Sequence, residues 1–257
     1  MSLDINNLVE SLFRWLHIVA GVVWIGHLYF FNWVNANFAP TMDGETKKKV
    51  VPELMPRALY FFRWGAAYTW LTGIGLAGLV YYMNETMLFE DGMAWNPVGI
   101  VIVVLTYFGF FLYDVVMKAV KNVKLHGVIG WVLAAGYVML AKNVGGMSYR
   151  GAAIHLGMTF GTIMAMNVWM RIWPAQKKII AAVKEGTAPD AALVAMAGLR
   201  SKHNTYMSAP LLFMMMSQHG TWASSMNSIP LTVVIALGFL LVMWLYTKSK
   251  ADAVKSL

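Results

Sequence analysis

Hydrophobic residues along this chain are grouped into seven long apolar runs separated by shorter polar segments. A helix needs about 20 apolar residues to cross the hydrocarbon core of a bilayer, and several of these runs approach that length. We therefore expect an all-α fold: a polytopic transmembrane helix bundle in which residues 1–257 form a single domain. The pattern predicts about seven spans, at roughly 9–34, 58–82, 97–118, 126–142, 150–172, 205–222 and 229–247.

Basic residues are distributed unevenly between the two ends of the predicted spans. Sixteen of the 20 Lys and Arg residues fall in segments that share one end, and Lys142 and Arg150 lie at the other. Because cytoplasmic loops are enriched in Lys and Arg, this predicts an N-terminus outside and a C-terminus in the cytoplasm. The net charge of +8 thus reflects the Lys and Arg residues of loops at one surface of the bilayer. No nucleic-acid partner is expected.

The basic segment between the fifth and sixth spans predicts cytoplasmic amphipathic helices at about 175–199. We expect one at about 175–185 and another at 189–199, separated where Gly186 and Pro189 favour a turn. Helices of this kind lie along a membrane surface.

Composition narrows the chemistry that the spans can carry. Apolar residues make up 59% of the chain and charged residues 12%, which argues against an ordinary soluble enzyme. The sequence contains no cysteine, so disulfides, thiolate metal sites, iron–sulfur clusters and covalent haem attachment are excluded. Histidine is the main ligand type that remains.

Six histidines can be placed by their depth in the predicted spans. Three are expected to converge near the outer leaflet and three near the inner side: His17, His155 and His219, and His27, His126 and His203. A histidine inside a span is costly unless it finds a ligand or a hydrogen-bond partner. The simpler interpretation of each is a hydrogen bond between helices.

A b-type haem uses two imidazoles from facing helices as its axial ligands. We expect haem b, one or two per chain, with His17 and His155 as the axial pair of the outer site. His219 is expected to be a substitute ligand or a side chain that contacts one of these ligands. Copper or zinc is a less favoured occupant of the same three side chains. An inner haem would use His27 together with His126 or His203.

Two arginines lie near the outer ends of the first and fifth spans. Arg14 and Arg150 are expected to pair with haem propionates or with lipid phosphates, since the guanidinium binds both kinds of oxyanion.

Several sequence blocks resemble the membrane domain of the bacterial membrane-bound urate hydroxylases, the urate oxidase N-terminal-domain family. The matching blocks are residues 14–21, 24–26, 70–73, 80–82, 161–167, 174–178, 200–206 and 217–219. The resemblance implies a multi-pass protein of the bacterial inner membrane with His17, His155, His203 and His219 at family positions. It also implies a C-terminal cytochrome c domain, and we expect this chain to be a stand-alone variant lacking that domain.

The chain also departs from the family pattern at three places. No histidine lies between Ala39 and Pro56, Gly65 stands where the family has an acidic residue, and His27 replaces a small residue.

Three functions remain open from the sequence. The first is a membrane-embedded b-type haem protein that carries electrons to a separate partner, such as a cytochrome c or a respiratory complex. The second is a urate or purine hydroxylase that passes electrons to a separate cytochrome c. The third is a cofactor-free transporter or assembly subunit. The small residues in the spans also permit a homo-oligomer.

Overall fold

The computed structural model describes residues 5–83, 85–220 and 227–250. At residues 85 and 86 it describes only the backbone. Its main elements are seven long helices, which confirms the all-α prediction. They are α1 Ile5–Tyr29, α2 Gly44–Ala77, α3 Pro97–Ala119, α4 His126–Asn143, α5 Tyr149–Asn167, α6 Ala191–Ser217 and α7 Ser228–Ser249. The predicted end of the sixth span, at 222, lies outside the described residues.

Three helices continue through a π-helical turn. The turn Phe30–Asn35 follows α1, Gly78–Tyr82 follows α2, and Val168–Ile172 joins α5 to a further helix, Trp173–Glu185.

The predicted amphipathic helices are present, but the structure joins each of them to a span. The first belongs to the continuation of α5, and the second is the first half of α6. They are separated as predicted at Gly186, whose φ of +76° suits glycine. The sequence did not predict these continuous junctions, and the buried side chains of α6 begin at Ala197, before the predicted span. That the two helices lie along the membrane surface stays a prediction.

Polar residues next to the apolar runs fix where the helices begin. Asn96 caps α3 by accepting from the Gly99 amide (2.9 Å), and Pro97 occupies the first turn. Ser148 caps α5 in the same way (2.9 Å). Asp43 caps α2 through the Thr46 amide (2.7 Å), a hydrogen bond that also lowers the pKa of the Asp43 carboxyl.

Five helical stretches in the described residues are long and apolar enough to cross a membrane. They contain α1, α3, α4, the continuous α5 rod and α7. In the 18-residue apolar stretch of the continuous α5 rod, 83% of the residues are buried inside the protein, against 6% in the corresponding stretch of α1. The chain is therefore a helical membrane protein with α5 at its centre and α1 at its edge.

Contacts between helix ends bring the basic segments to one end of the bundle. Asn32, after α1, donates to Ser201 in α6 (2.7 Å) and accepts from Tyr246 in α7 (2.9 Å). We call this the basic end. At the opposite end, Lys142 pairs with Glu90 (2.7 Å). The grouping agrees with the predicted alternation of the spans, and which end faces the cytoplasm stays a prediction.

Helix α1 lies against α2 at close range because glycines face it. A Cβ atom on Gly65 would lie 3.0 Å from the Trp24 backbone nitrogen and 3.2 Å from the Ala20 carbonyl oxygen. Further along, a Cβ on Gly73 would lie 3.1 Å from the His17 ring. The two helices therefore pack with the backbone of one against glycines of the other.

Candidate functional site

The outer histidines are held separately in the structure. The Nδ1 atom of His17 lies 3.1 Å from the Thr72 hydroxyl in α2, and Nε2 of His155 lies 3.0 Å from the Tyr82 hydroxyl. Thr72 and Tyr82 are ten residues apart on one helical rod, or roughly 15 Å along its axis. The predicted convergence of His17 and His155 at one depth is therefore not found, because the α1–α2 register places His17 deeper.

The side chains expected to form the outer site contact different groups and do not surround one common site. His155 is fully buried and its Nδ1 lies 2.8 Å from the Gly151 carbonyl oxygen, while His219 is exposed after α6. Arg14 pairs with Glu10 (2.7 Å). Arg150 lies 3.6 Å from the sulfur of Met87.

His27 lies apart from the other two inner histidines. Its ring stacks on Phe61, with centroids 6.0 Å apart, and its Nδ1 lies 2.7 Å from the Val23 carbonyl oxygen. It lines a small cavity of about 400 Å³ whose other walls are Val22, Val23, Gly26, Phe30, Leu54 and Ala58. The structure therefore does not join His27 to His126 or His203.

His126 and His203 meet at the basic end and form a hydrogen-bonded chain with Tyr113. His126 lies at the start of α4 and is buried, and its Nδ1 is 3.1 Å from Nε2 of His203. Nδ1 of His203 is 2.7 Å from the Tyr113 hydroxyl in α3. At the other end of the chain, Nε2 of His126 is 2.8 Å from the Val120 carbonyl oxygen. We call Tyr113, His203 and His126 the relay.

The carbonyl at the end of the relay fixes the position of one proton. A carbonyl oxygen only accepts, so Nε2 of His126 carries a hydrogen. With neutral rings, Nδ1 of His126 accepts from His203, and Nδ1 of His203 accepts from Tyr113. When His126 holds a second proton, both bonds reverse direction. The relay can thus exist in two states that differ by one proton, which is the property that proton transfer along a chain requires.

Amide groups extend this polar chain into the bundle. Asn167 donates through Nδ2 to the Tyr113 hydroxyl (3.1 Å) and to Oδ1 of Asn204 (2.9 Å). Asn204 donates in turn to the Met164 carbonyl oxygen (2.9 Å). Within the described residues, Oδ1 of Asn167 and Nη1 of Arg200 are buried with no hydrogen-bond partner. One unused acceptor and one unused donor therefore lie next to Tyr113.

An ionic cluster adjoins the relay. Asp114 accepts from Arg171 (3.0 and 2.5 Å), from Arg200 (2.7 Å) and from Lys118 (2.6 Å). The guanidinium of Arg200 also lies 4.9 Å from the centre of the Tyr113 ring. One carboxylate thus faces three cations, which leaves net positive charge beside the relay. This charge favours an electron-rich or anionic group in contact with Tyr113.

The relay also borders the larger of the two cavities described here. Its volume is about 1020 Å³, and its walls come from α3, α4, α5, α6 and α7. Tyr113, His126 and His203 lie in the wall. Most of the remaining lining is aliphatic or aromatic, including Leu105, Trp131, Leu133, Phe160, Phe239 and Leu240.

The sequence profile of the family described as urate oxidase N-terminal matches residues 43–257. The chain belongs to the urate oxidase N-terminal family. Comparison with curated proteins and with solved structures gave no match. The matched region of this urate oxidase N-terminal chain contains the relay, the ionic cluster and the cavity walls. It begins after α1, so Arg14, His17 and His27 lie outside it.

The arrangement of histidines in this urate oxidase N-terminal chain does not match an axial haem pair. His126 and His203 touch each other, whereas two axial imidazoles stand on opposite faces of a macrocycle. In the described part of the chain, no group of three His, Asp or Glu side chains could hold a metal ion. Haem b and its ligands therefore stay a prediction.

Sequence reasoning missed Tyr113, Arg200 and Asn204 as site residues. Two signals for them are present in the sequence. Tyr113 directly precedes Asp114 in an otherwise apolar span, and Arg200, His203 and Asn204 follow the i, i+3, i+4 spacing that places side chains on one face of a helix.

Proposed function

We propose that this chain is the membrane-embedded subunit of an oxidoreductase that oxidises urate or a related purine and passes the electrons to a separate carrier. The match of residues 43–257 to the urate oxidase N-terminal family is the observation that carries the proposal. Hydroxylation of a purine by water releases two electrons and two protons, so the site must accept both. The relay supplies groups that can take and pass protons within the bundle.

The two unused polar atoms beside Tyr113 match a purine in hydrogen-bonding character, and both are buried outside the walls of the two described cavities. A purine such as urate presents both carbonyl oxygens and ring N–H groups. Nη1 of Arg200 would donate to an oxygen, and Oδ1 of Asn167 would accept from an N–H. The net positive charge around Asp114 favours binding of the urate anion.

The test is reduction of an artificial acceptor dye by urate with purified protein in detergent. We expect urate-dependent reduction, and we expect Asn167→Ala to raise KM for urate about tenfold through loss of hydrogen bonds. Asn32→Ala is the matched control, because Asn32 is also buried and hydrogen-bonded but lies away from Tyr113. A folded wild-type protein that reduces no acceptor with urate would contradict the proposal.

A haem b electron carrier is the second candidate on the grounds of the sequence alone, since the direct contact between His126 and His203 does not suit an axial pair. A pyridine haemochrome assay on the same preparation decides it. One or two haems per chain would support this candidate, and a colourless folded protein would remove it. A colourless protein with neither haem nor urate oxidation would favour a transporter or assembly role.

A further inference from the structure

The large cavity opens toward lipid. Several side chains in its wall are also exposed on the outer surface of the bundle, among them Val128, Trp131, Val132, Leu133, Leu140 and Leu240. They lie on α4 and α7, two of the helices apolar enough to cross a membrane. A molecule dissolved in the bilayer can therefore reach the cavity without passing through water.

The polar groups of the cavity are concentrated at the basic end. His126, His203 and Tyr113 lie there together with Lys124 and Lys202. Toward the opposite end Tyr137 and Thr159 also line the cavity, and their hydroxyls are hydrogen-bonded to each other (3.2 Å). The rest of the wall along α4 and α7 is apolar there. The cavity therefore suits an elongated molecule with a small polar ring at the relay and an apolar tail along the helices.

Two other kinds of occupant fit less well. Urate is small and polar, so most of this wall would offer it no hydrogen-bond partner. A phospholipid head group is charged and remains at the membrane surface, whereas His126 is only 5% exposed.

We propose that this cavity binds an isoprenoid quinone, with the quinone ring at His126 and His203. The assignment of the quinone as electron acceptor rests on the proposed purine oxidation. Reduction of the quinone takes the two electrons and the two protons that hydroxylation of the purine releases. Both C=O π bonds break, and one O–H bond forms at each oxygen. The relay can pass one proton to the quinone oxygen that lies against it, and the other oxygen takes its proton from water, to which the second proton of the purine is released.

Two glycines provide a way to block the cavity without disturbing the fold. Gly130 and Gly136 lie in α4 within the cavity wall, and no atom lies within 4 Å of a Cβ atom built on either. A leucine at either position would enter the cavity. Gly198 in α6 offers a matched control, because its Cβ also meets open space and it lies outside the cavity wall.

The experiment is calorimetric titration of decylubiquinone into the full chain in quinone-free lipid nanodiscs. We expect one quinone per chain, binding at least tenfold weaker to Gly130→Leu and to Gly136→Leu, and unchanged binding to Gly198→Leu. Monodisperse elution of each variant checks the fold. Equal heat in all four proteins would show partition into lipid only, and it would overturn the proposal, as would no binding to the wild type.

The titration separates this proposal from the proposed function. Urate-dependent dye reduction without quinone binding would overturn the quinone site and leave the purine oxidation in place. Quinone binding without urate oxidation would keep the binding site and remove its assignment as acceptor for a purine.

Discussion

At the scale of single residues, the proposed function depends on side chains that hold charge and protons inside the bundle. Asp114 is the only carboxylate among the described contacts of Arg171 and Arg200, and its side chain is 8% exposed. Arg200 is 5% exposed. Because a buried charge without a partner is costly, the position of Arg200 beside Tyr113 depends on Asp114.

Asp114→Asn keeps the shape of the side chain and removes its charge. We expect it to lower the free energy of unfolding by about 3 kcal/mol, since it leaves a buried guanidinium without its counter-charge. Equilibrium unfolding in mixed detergent micelles measures this. Glu53→Gln is the control, because the Glu53–Arg57 pair is about 70% exposed on each side and its loss should not move the transition. Equal stability of the two variants would contradict the assignment.

At the scale of elements, the sequence predicts several helices closely. The predicted spans 97–118 and 126–142 correspond to α3 and α4 within one residue at each end, because Asn96 and Pro97 mark a helix start. The sixth helix begins earlier than the predicted span for a physical reason. The first half of α6 has a polar composition, but Arg200 and Asn204 are buried by partners on α3 and α5. Such partners are far away in sequence, so hydropathy cannot reveal them.

The same limit applies to the candidate site. The depth of a residue along a helix can be counted from the sequence, and this count predicted that His126 and His203 lie near the same end of the bundle. The rotation and register between helices cannot be counted, so the pairing of His17 with Thr72 and of His155 with Tyr82 was not predictable.

The glycine contact between α1 and α2 gives a test at this scale. Gly65→Val should lower the free energy of unfolding by about 1–3 kcal/mol, because its Cβ meets backbone atoms of Trp24 and Ala20 that cannot move aside. The measurement is again unfolding in mixed micelles. Gly26→Ala is the control, since no atom lies within 4 Å of its Cβ. A Gly65→Val protein as stable as that control would show that the helices are not in this register.

At the scale of the whole molecule, charge predicts how the bundle sits in the membrane. The segments that carry most of the Lys and Arg residues share the basic end, and this end should face the cytoplasm. The relay and the polar end of the cavity, which includes Lys124 and Lys202, would then lie near the cytoplasmic surface.

The absence of native cysteine makes this orientation easy to measure. We expect Asp91→Cys, at the opposite end, to react with a membrane-impermeant maleimide in intact cells. Lys121→Cys, at the basic end, should react only after the membrane is permeabilised. The reverse labelling pattern would show that the bundle is inserted the other way round.

The most direct test of the central claim is the rate of urate-dependent dye reduction in His203→Gln compared with His27→Gln. Glutamine keeps a polar side chain at both positions but cannot carry a proton through a ring. We expect at least a hundredfold lower kcat in His203→Gln, because proton transfer groups contribute about 10²–10⁴-fold, and a rate within twofold of wild type in His27→Gln. A folded His203→Gln protein with the wild-type rate would contradict the relay and with it this account of the site.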